Sequence, residues 1–388
     1  MVAPVAPPAT VVLGKDLARS LLRGHPWVFR EALRAPPRLP DGATVVVRDR
    51  RGRALVWGFW DAESPIAVRV LDQAPPADAA GLVSARLREA LERRLAHLDR
   101  ARTSAFRWVH GEGDRLPGIH VDLYDDVVSV RYDGGGARAF YGERLDLPAR
   151  LAEAAAPLAL AAVVDREARS AALEREVREN DLRFLVDLGR GQKGGLFLDQ
   201  RENRAEVGRR ARGKSVLNLF GYTGGFSLYA AAGGATRTDT VDAAAPALTA
   251  ARRNFELNGL DLATTGLHTA DAFQFLAAAA RRGQRWEVVI SDPPSFAPSR
   301  RALPAARTAY RRLHALAAAV VAPGGLFCPA SCSSHFSREE FLASVHDGVA
   351  RAGRRFRLEE LRGAGFDHPT LPAFPEGDYL KFAIGRVN

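Results

Sequence analysis

Apolar runs separated by glycine- or proline-containing turns dominate the second half of this 388-residue chain. Residues 216–220 and 287–290 are two such runs, and turns follow them at 221–225 and 291–295. Continuous apolar runs of this length, bounded by turn residues, are typical of buried parallel strands. Helix-like segments separate the runs, as expected when crossover helices join parallel strands. The pattern therefore predicts an α/β fold with a Rossmann-like sheet over about 186–388.

The first 185 residues have a different pattern. Strand-like segments at 11–13, 43–48, 54–60 and 66–71 predict a compact β unit. A proline-containing linker at 75–78 precedes a helix-like stretch at 82–102, a strand at 127–132 and an alanine-rich stretch at 151–163, which we interpret as a plain helix. We therefore expect three domains, at 1–75, 76–185 and 186–388.

The turn at 221–225 is a candidate cofactor site. Glycines there allow a sharp turn and close approach of a ligand, and Asp242 ends the next strand-like segment, where a carboxylate accepts hydrogen bonds from ribose hydroxyls. The turn departs from the G-x-G-x-x-G pattern that seats a dinucleotide pyrophosphate, which favours S-adenosylmethionine. We expect Asn218 near the amino-acid end of the cofactor, and Asp271 and Ala272, with Phe273 nearby, at the adenine. The predicted loop contacts are Phe220, Gly221, Tyr222, Thr223 and Gly224.

A glycine-rich turn alone would fit an ordinary strand–helix connection equally well. The order in which Asp242, Asp271 and Asp292-Pro-Pro follow the turn is what favours cofactor binding.

Asp292-Pro293-Pro294-Ser295 is a candidate substrate site, because open α/β sheets bind ligands at the carboxyl ends of their strands. The prolines restrict the loop, so that Asp292 and the loop backbone can hold the amino edge of a planar base. A proline-rich turn with a solvated aspartate is the alternative.

Cys328 and Cys332 are the only cysteines, which argues against a disulfide framework and is typical of a reducing cytoplasm. Cys328 lies inside an apolar run and is predicted to be a buried hydrophobe. Cys332 follows that run, at the same sheet edge as Asp292, and is predicted to be a nucleophile. Carbon 5 of a pyrimidine becomes nucleophilic only after a thiolate adds to carbon 6, so this cysteine and Asp292 form a candidate catalytic pair. The residue that removes the carbon 5 proton is not identified by the sequence.

Over nearly its whole length the chain resembles the RlmI family of ribosomal large-subunit cytosine-5 methyltransferases. The resemblance rests on 191–201 (GQKGGLFLDQR), 216–225, Asn258-Gly259, Ser331-Cys332-Ser333 and the closing segments 367–369 and 375–381. It implies that Cys332 is the nucleophile and that a homodimer is compatible with the family. The further cofactor contacts that it implies are Gln192, Lys193, Leu198, Asp199, Arg201 and Asn258. Tyr310-Arg311-Arg312 and Leu196 depart from the family pattern.

The N-terminal unit resembles a PUA domain, a small RNA-binding β-barrel, and 79–185 resembles the family's central α/β domain. We expect the rings of Trp27 and Phe29 in the core. Neighbouring polar residues would then contact RNA: Arg23, His25, Arg30 and Arg34.

The formal net charge of +10 comes almost entirely from arginine, which suits a polyanion such as ribosomal RNA. An arginine-rich composition spread over solvated faces explains the charge equally well, and the PUA-like unit tips the balance toward RNA. No apolar stretch is long enough to span a membrane, no signal peptide or metal site is predicted, and we expect a cytoplasmic protein.

Two other functions stay open. The first is methyl transfer to a ring or exocyclic nitrogen, for example of guanine, which needs no thiolate because nitrogen carries a lone pair. The second is a non-catalytic RNA-binding assembly factor. Cys332 distinguishes the first from cytosine-5 methylation, and cofactor binding distinguishes the second.

Overall fold

The computed structural model describes residues 7–168, 173–189 and 195–388, and the chain divides into two compact units. The first unit takes the described residues of 1–100, 104–170 and 366–377. The second takes those of 101–103, 171–365 and 378–388. The boundaries of the three predicted domains stay a prediction. No helix in the described part of the chain is long and apolar enough to cross a membrane.

The first unit contains a five-stranded sheet of order β1-β3-β4-β5-β2 and a four-stranded sheet of order β6-β7-β8-β9. Its strands and helices are β1 Ala9–Val12, α1 Ala18–Leu22, β2 Trp27–Phe29, β3 Thr44–Arg48, β4 Ala54–Trp60, β5 Ile66–Asp72, α2 Ala79–Leu95, β6 Ala105–His110, β7 Ile119–Tyr124, β8 Val127–Tyr132, α3 Gly135–Ala137, α4 Leu147–Ala154 and β9 Ala162–Asp165.

One hydrophobic core joins the two sheets of the first unit. Trp57 and Phe59 of β4 belong to the same buried cluster as Phe106 and Trp108 of β6. The rings of Phe59 and Phe140 stack with their centroids 4.8 Å apart. Aromatic side chains bury large apolar areas, so this cluster contributes much of the unit's stability.

Two local predictions for this unit are wrong. The alanine-rich stretch at 151–163 is not one helix: α4 ends at Ala154 and β9 begins at Ala162. Pro157 lacks an amide N–H and Ala159 has a φ of 50°, so neither continues an α-helix. The second concerns Phe29, which is 38% exposed rather than in the core. Trp27 is partly buried, and its indole N–H donates to Glu112 Oε1 over 2.7 Å.

The second unit contains a seven-stranded sheet of order β14-β13-β12-β15-β16-β18-β17 and a two-stranded β10-β11 hairpin. Strands β12 to β16 pair in parallel, whereas β18 runs antiparallel to β16 and β17. The elements are β10 Glu174–Glu179, β11 Leu182–Asp187, α5 Arg201–Arg210, β12 Ser215–Leu219, α6 Gly225–Ala232, β13 Arg237–Asp242, α7 Ala245–Leu257, β14 Thr265–Thr269, α8 Ala272–Arg281, β15 Trp286–Ser291, α9 Leu303–Ala319, β16 Val321–Ser331, α10 Arg338–Arg351, β17 Phe356–Arg362 and β18 Lys381–Val387.

The predicted Rossmann-like α/β sheet is confirmed. Strand order reverses at β12, because β13 lies on one side of it and β15 on the other. Loops on the two sides of such a switch point diverge and leave a crevice at the carboxyl ends of the strands. The register Ser291↔Pro329 brings the ends of β15 and β16 to that same edge.

Candidate active site

A cavity of about 1070 Å³ opens at the carboxyl ends of the parallel strands in the second unit. Its lining comes from the turn after β12, the end of β13, the loop after β15 and the residue that follows β16. The predicted site residues in this lining are Asp199, Phe220, Gly221, Tyr222, Thr223, Asp242, Asp292, Pro293, Pro294, Ser295 and Cys332. Such a volume is large enough for a nucleoside-sized cofactor beside a base.

The turn after β12 has an unusual backbone. Phe220 and Tyr222 have φ values of 57° and 48°, a region that non-glycine residues rarely adopt. Asp242 compensates for this strain, since its Oδ2 accepts from the Tyr222 amide over 2.9 Å. A side chain at Gly221 would bring its Cβ to 2.3 Å from the Thr240 methyl group, so the turn requires glycine there. The cavity wall is therefore preorganised by the fold.

The polar groups of the cavity suit a cofactor without phosphate. Among the described residues, Asp242 Oδ1 accepts from the Ala244 amide alone, over 2.8 Å, and a carboxylate oxygen has a second lone pair for a ribose hydroxyl. The two lining guanidinium groups are already neutralised: Arg204 forks to Glu179, and Arg253 to Glu174. The buried guanidinium group of this lining, Arg204, is therefore not left to hold a pyrophosphate. Asp242 and the 220–223 turn would hold S-adenosylmethionine here.

Other predicted cofactor residues are not part of the described cavity lining. Asn218 is buried and donates to Ser227 Oγ over 3.0 Å, which ties β12 to α6. Arg201 is buried and binds Glu202, and Leu198 is also buried. Asn258 bridges to the Arg183 backbone, accepting its N–H and donating to its carbonyl. The structure shows these side chains in supporting contacts, and their direct contact with the cofactor stays a prediction.

Asp271 and Ala272 begin α8, and Gly224 precedes α6. Asp271 accepts from the Gln274 amide over 2.9 Å and lines a smaller, separate cavity with Phe273 and Arg312. Its role at the adenine stays a prediction. Gln192 and Lys193 lie outside the described residues.

Asp292 is held by a residue that the sequence predictions passed over. Gln200 Nε2 donates to Asp292 Oδ2 over 2.9 Å, and Asn203 Nδ2 in turn donates to Gln200 Oε1 over 2.7 Å. The Tyr379 hydroxyl, from the closing segment 375–381, donates to Asp199 Oδ2 over 2.6 Å. Gln200 could have been found from its position between Asp199 and Arg201, since both neighbours were predicted site residues.

The two cysteines lie four residues apart and in different environments. Cys328 is buried inside β16, and burial raises the pKa of its thiol to about 12. Cys332 follows the last residue of β16, is partly exposed and lines the cavity together with Asp292. Only the second thiol can therefore meet a ligand in the cavity.

A hydroxyl network ties the cysteine loop to the Asp-Pro-Pro loop. The Tyr310 hydroxyl of α9 lies 2.8 Å from Ser331 Oγ and 3.1 Å from Ser333 Oγ. Ser333 Oγ lies 2.9 Å from Ser295 Oγ. Because serines flank Cys332 on both sides, these bonds fix the backbone that carries the thiol.

Lys381 is a further residue that the sequence predictions missed. It begins β18 opposite Ser331, is buried, and its Nζ donates to the carbonyls of Ser333 and Tyr379 over 2.7 and 2.8 Å. Burial is the main reason why its pKa falls from 10.5 to about 8. Lysine is rare in this chain, which has only four, and this rarity could have drawn attention to Lys381 at the sequence level.

The fold and this cavity define a class, the S-adenosylmethionine-dependent methyltransferases. A family model with that description matches residues 168–345, and a PUA-like domain model matches residues 11–73. The chain is 35% identical to ribosomal RNA large subunit methyltransferase I of Aeromonas salmonicida, over 97% of this chain and 99% of that protein. It is 37% identical to a ribosomal RNA large subunit methyltransferase of Deinococcus radiodurans, over 97% of both chains. The chain belongs to the ribosomal RNA large subunit methyltransferase I family.

Solved structures share this fold. A protein of Streptococcus mutans, provisionally named a SAM-dependent methyltransferase, superposes with a TM-score of 0.85 at 23% identity, over 97% of this chain and all of that one. A second methyltransferase structure, complexed with SAH, gives 0.84 at 23% identity over 98% and 99%. The predicted combination of a PUA-like domain, a small central α/β part and a methyltransferase sheet is confirmed, as is S-adenosylmethionine as cofactor.

Proposed function

We propose that this protein methylates carbon 5 of a cytosine in large-subunit ribosomal RNA and that Cys332 is its covalent nucleophile. The observation that carries the proposal is the shared cavity, which is lined by the partly exposed Cys332, by Asp292 and by Asp242. The names of the relatives and the PUA-like domain support ribosomal RNA as substrate. The net charge of +10 suits the same polyanion.

The residues have distinct tasks in this reaction. The Cys332 thiolate donates an electron pair to carbon 6, and the π electrons of the 5,6 double bond move so that carbon 5 becomes nucleophilic. Asp292, oriented by Gln200, accepts a hydrogen bond from the amino group or protonated ring nitrogen of the cytosine and so stabilises the adduct. When bound, S-adenosylmethionine supplies an electrophilic methyl group.

The adduct then has to collapse to product. Carbon 5 at that stage carries both a hydrogen and the new methyl group. A base takes the hydrogen as a proton, its bonding pair restores the 5,6 double bond, and Cys332 leaves carbon 6 as a thiolate. The nucleophile is regenerated, and atoms and charge balance over the cycle.

Replacing the two cysteines separately tests the assignment. Cys332→Ala should reduce methyl transfer to large-subunit RNA by a factor of at least about 1000, because carbon 5 is then unactivated. Cys328→Ala is the matched control and should retain transfer. Tritium from labelled methyl donor, followed by mass spectrometry of the nucleosides, measures both amount and position. Unchanged transfer by Cys332→Ala, or a methyl group on a ring nitrogen, would refute the proposal.

A substituted RNA tests the covalent step directly. With 5-fluorocytidine at the target, carbon 5 has no proton to lose and the adduct should persist. We expect a protein–RNA complex that survives denaturing electrophoresis with the unmodified enzyme and with Cys328→Ala, and none with Cys332→Ala. Cofactor binding by calorimetry, retained in all three proteins, separates loss of chemistry from loss of fold. An enzyme without any cofactor binding would instead be an RNA-binding assembly factor.

Large-subunit RNA is made and assembled in the cytoplasm of bacteria. We expect the enzyme to act there.

A further inference from the structure

Lys381 is the residue whose position the proposed reaction leaves unexplained. Antiparallel pairing of β18 with β16 sets Lys381 opposite Ser331, one residue before the proposed nucleophile Cys332. Its Nζ reaches the carbonyl of Ser333, one residue after Cys332. The lysine is 1% exposed. The ammonium group thus lies against the short segment that presents the thiol.

In the described part of the chain, the buried ammonium group has no carboxylate partner. Its two hydrogen-bond acceptors are neutral carbonyls, and among the described residues no carboxylate oxygen lies within 4.0 Å of Nζ. An ammonium group buried without an anion is strongly disfavoured. Because the fold nevertheless keeps the Lys381 ammonium group beside the end of β16, we infer that an anion forms there during the reaction.

We propose that Lys381 is a positioning residue that favours the thiolate of Cys332 by holding an ammonium group beside the Ser331–Ser333 segment. This inference rests on the proposed function, in which Cys332 reacts as a thiolate. The Lys381 ammonium and the Cys332 thiolate form an internal ion pair with no net charge. The proton of the thiol leaves to solvent, and no oxidant, reductant or further reactant takes part.

Among the anionic groups around Lys381, the Cys332 thiolate is the one suited to pair with its ammonium group. Asp378 is bound by Arg338 through two hydrogen bonds of 2.7 and 2.9 Å, and Glu340 is bound by Arg307. Burial lowers the pKa of Lys381, and Asp378 and then Cys332 oppose that shift. Because Asp378 and Glu340 already have arginine partners, the thiolate is the anion that Lys381 can neutralise.

The reactivity of Cys332 can be measured alone, since the other thiol is buried with a raised pKa. The experiment follows the rate of alkylation by iodoacetamide against pH, without RNA or methyl donor. An ordinary cysteine has a pKa of about 8.5, and we expect the midpoint for Cys332 to be at or below about 7.5. Lys381→Gln keeps a hydrogen-bond donor but removes the charge. It should raise the midpoint by about one unit and slow alkylation at pH 7 by roughly tenfold.

Lys214→Gln is the matched control. Lys214 also donates to a backbone carbonyl, that of Arg210 over 2.8 Å, but it precedes β12 at the opposite end of the strands. We expect its alkylation profile to equal that of the unmodified protein. If Lys381 acted only as a tether for the loop, Lys381→Gln would leave the midpoint unchanged, and that result overturns the inference.

Two readouts keep this inference separate from the proposed function. Retained methylation in Cys332→Ala refutes the proposed function whatever Lys381 does. Lost methylation in Cys332→Ala, with an unchanged alkylation midpoint in Lys381→Gln, overturns the role of Lys381 alone. If Lys381→Gln fails to fold, the unmodified protein decides: a Cys332 midpoint at or above about 8.5 overturns the inference.

Discussion

Two buried cations, one from each unit, have opposite kinds of partner: Arg94 is paired with a carboxylate, and Lys381 is bonded to neutral carbonyls. In the first unit, Arg94 is 1% exposed and both of its terminal nitrogens donate to Asp114 over 2.7 Å. In the second unit, Lys381 is equally buried, and among the described residues it donates to two carbonyl oxygens alone. The first arrangement is complete within the fold, whereas the second still lacks an anion.

This difference separates a structural charge from a functional one. The forked pair of Arg94 and Asp114 has the geometry in which a guanidinium group and a carboxylate satisfy each other. A lysine is a compact point charge whose pKa shifts readily when it is buried. An incompletely paired, pKa-shifted group at the carboxyl edge of a sheet is therefore a better marker of chemistry than burial of charge alone.

Breaking the pair of Arg94 and Asp114 should have the largest effect on the free energy of unfolding. Arg94→Met leaves the buried Asp114 carboxylate with Arg93 and the His110 amide, and we expect the free energy of unfolding to fall by about 3–5 kcal/mol. Urea denaturation of the full chain measures it. Arg94→Met combined with Asp114→Leu should recover most of the loss, because no unpaired charge is left behind. A loss below about 1 kcal/mol for the single substitution would contradict the comparison.

Removing the charge of Lys381 should change the free energy of unfolding by an amount that depends on pH. The pKa of Lys381 is about 8 in the folded protein, against 10.5 ordinarily, so the unfolded chain binds more protons between these values. Stability contributed by Lys381 must then rise as pH increases from 8 to 10.5, by about 3 kcal/mol in total. Lys381→Met should therefore be mild at pH 7 and costly at pH 10.5.

Because Cys332 acts electrostatically on Lys381, the pH experiment belongs in a Cys332→Ala background. Denaturant unfolding at several pH values gives the difference between lysine and methionine at position 381. Lys214→Met, measured in the same way, reports the effect of removing an ordinary lysine. A difference for position 381 that is flat from pH 8 to 10.5 would rule out a depressed lysine pKa.

Asp242 allows a similar comparison among carboxylates. It holds the strained Tyr222 amide and faces the cavity, whereas Asp271 caps α8 and lines a different cavity. We expect Asp242→Asn to weaken S-adenosylmethionine binding by about 1.5–3 kcal/mol, which is roughly tenfold or more. Asp271→Asn should weaken it less. Calorimetry measures both, and equal losses would assign Asp271 to the cofactor site as well.

The sequence predicted those parts of the site that depend on strand order. Asp242, Asp292 and Cys332 each end or follow a strand, and parallel strands bring their carboxyl ends to one edge whatever the side-chain packing. Continuous apolar runs bounded by turn residues locate such buried strands well, which explains why the Rossmann-like sheet was predicted correctly.

Contacts between residues that are distant in sequence could not be predicted in the same way. Lys381 reaches the Cys332 loop only because β18 pairs antiparallel with β16, and no local pattern specifies that register. Gln200 reaches Asp292 across 92 positions of sequence. Phe29 fits a strand pattern, but its exposure depends on what packs over that strand. Periodicity predicts faces of elements, whereas partners are decided by tertiary packing.

The exposed ion pair at the cavity should show the smallest effect of these substitutions, and it tests whether burial decides the cost of an unpaired charge. Arg253 and Glu174 form two hydrogen bonds of 2.6 and 2.9 Å, nearly as good as those of Arg94, but their side chains are 50% and 46% exposed. Water solvates both charges whether or not they pair, so a double-mutant cycle with Arg253→Met and Glu174→Gln should give a coupling of about 0.2–1 kcal/mol. The coupling should shrink further in 1 M salt. A coupling of about 3–5 kcal/mol, the loss expected on breaking the Arg94–Asp114 pair, would mean that hydrogen-bond geometry and not burial sets the cost of an unpaired charge. Burial of the Lys381 ammonium group would then no longer mark it as a functional charge.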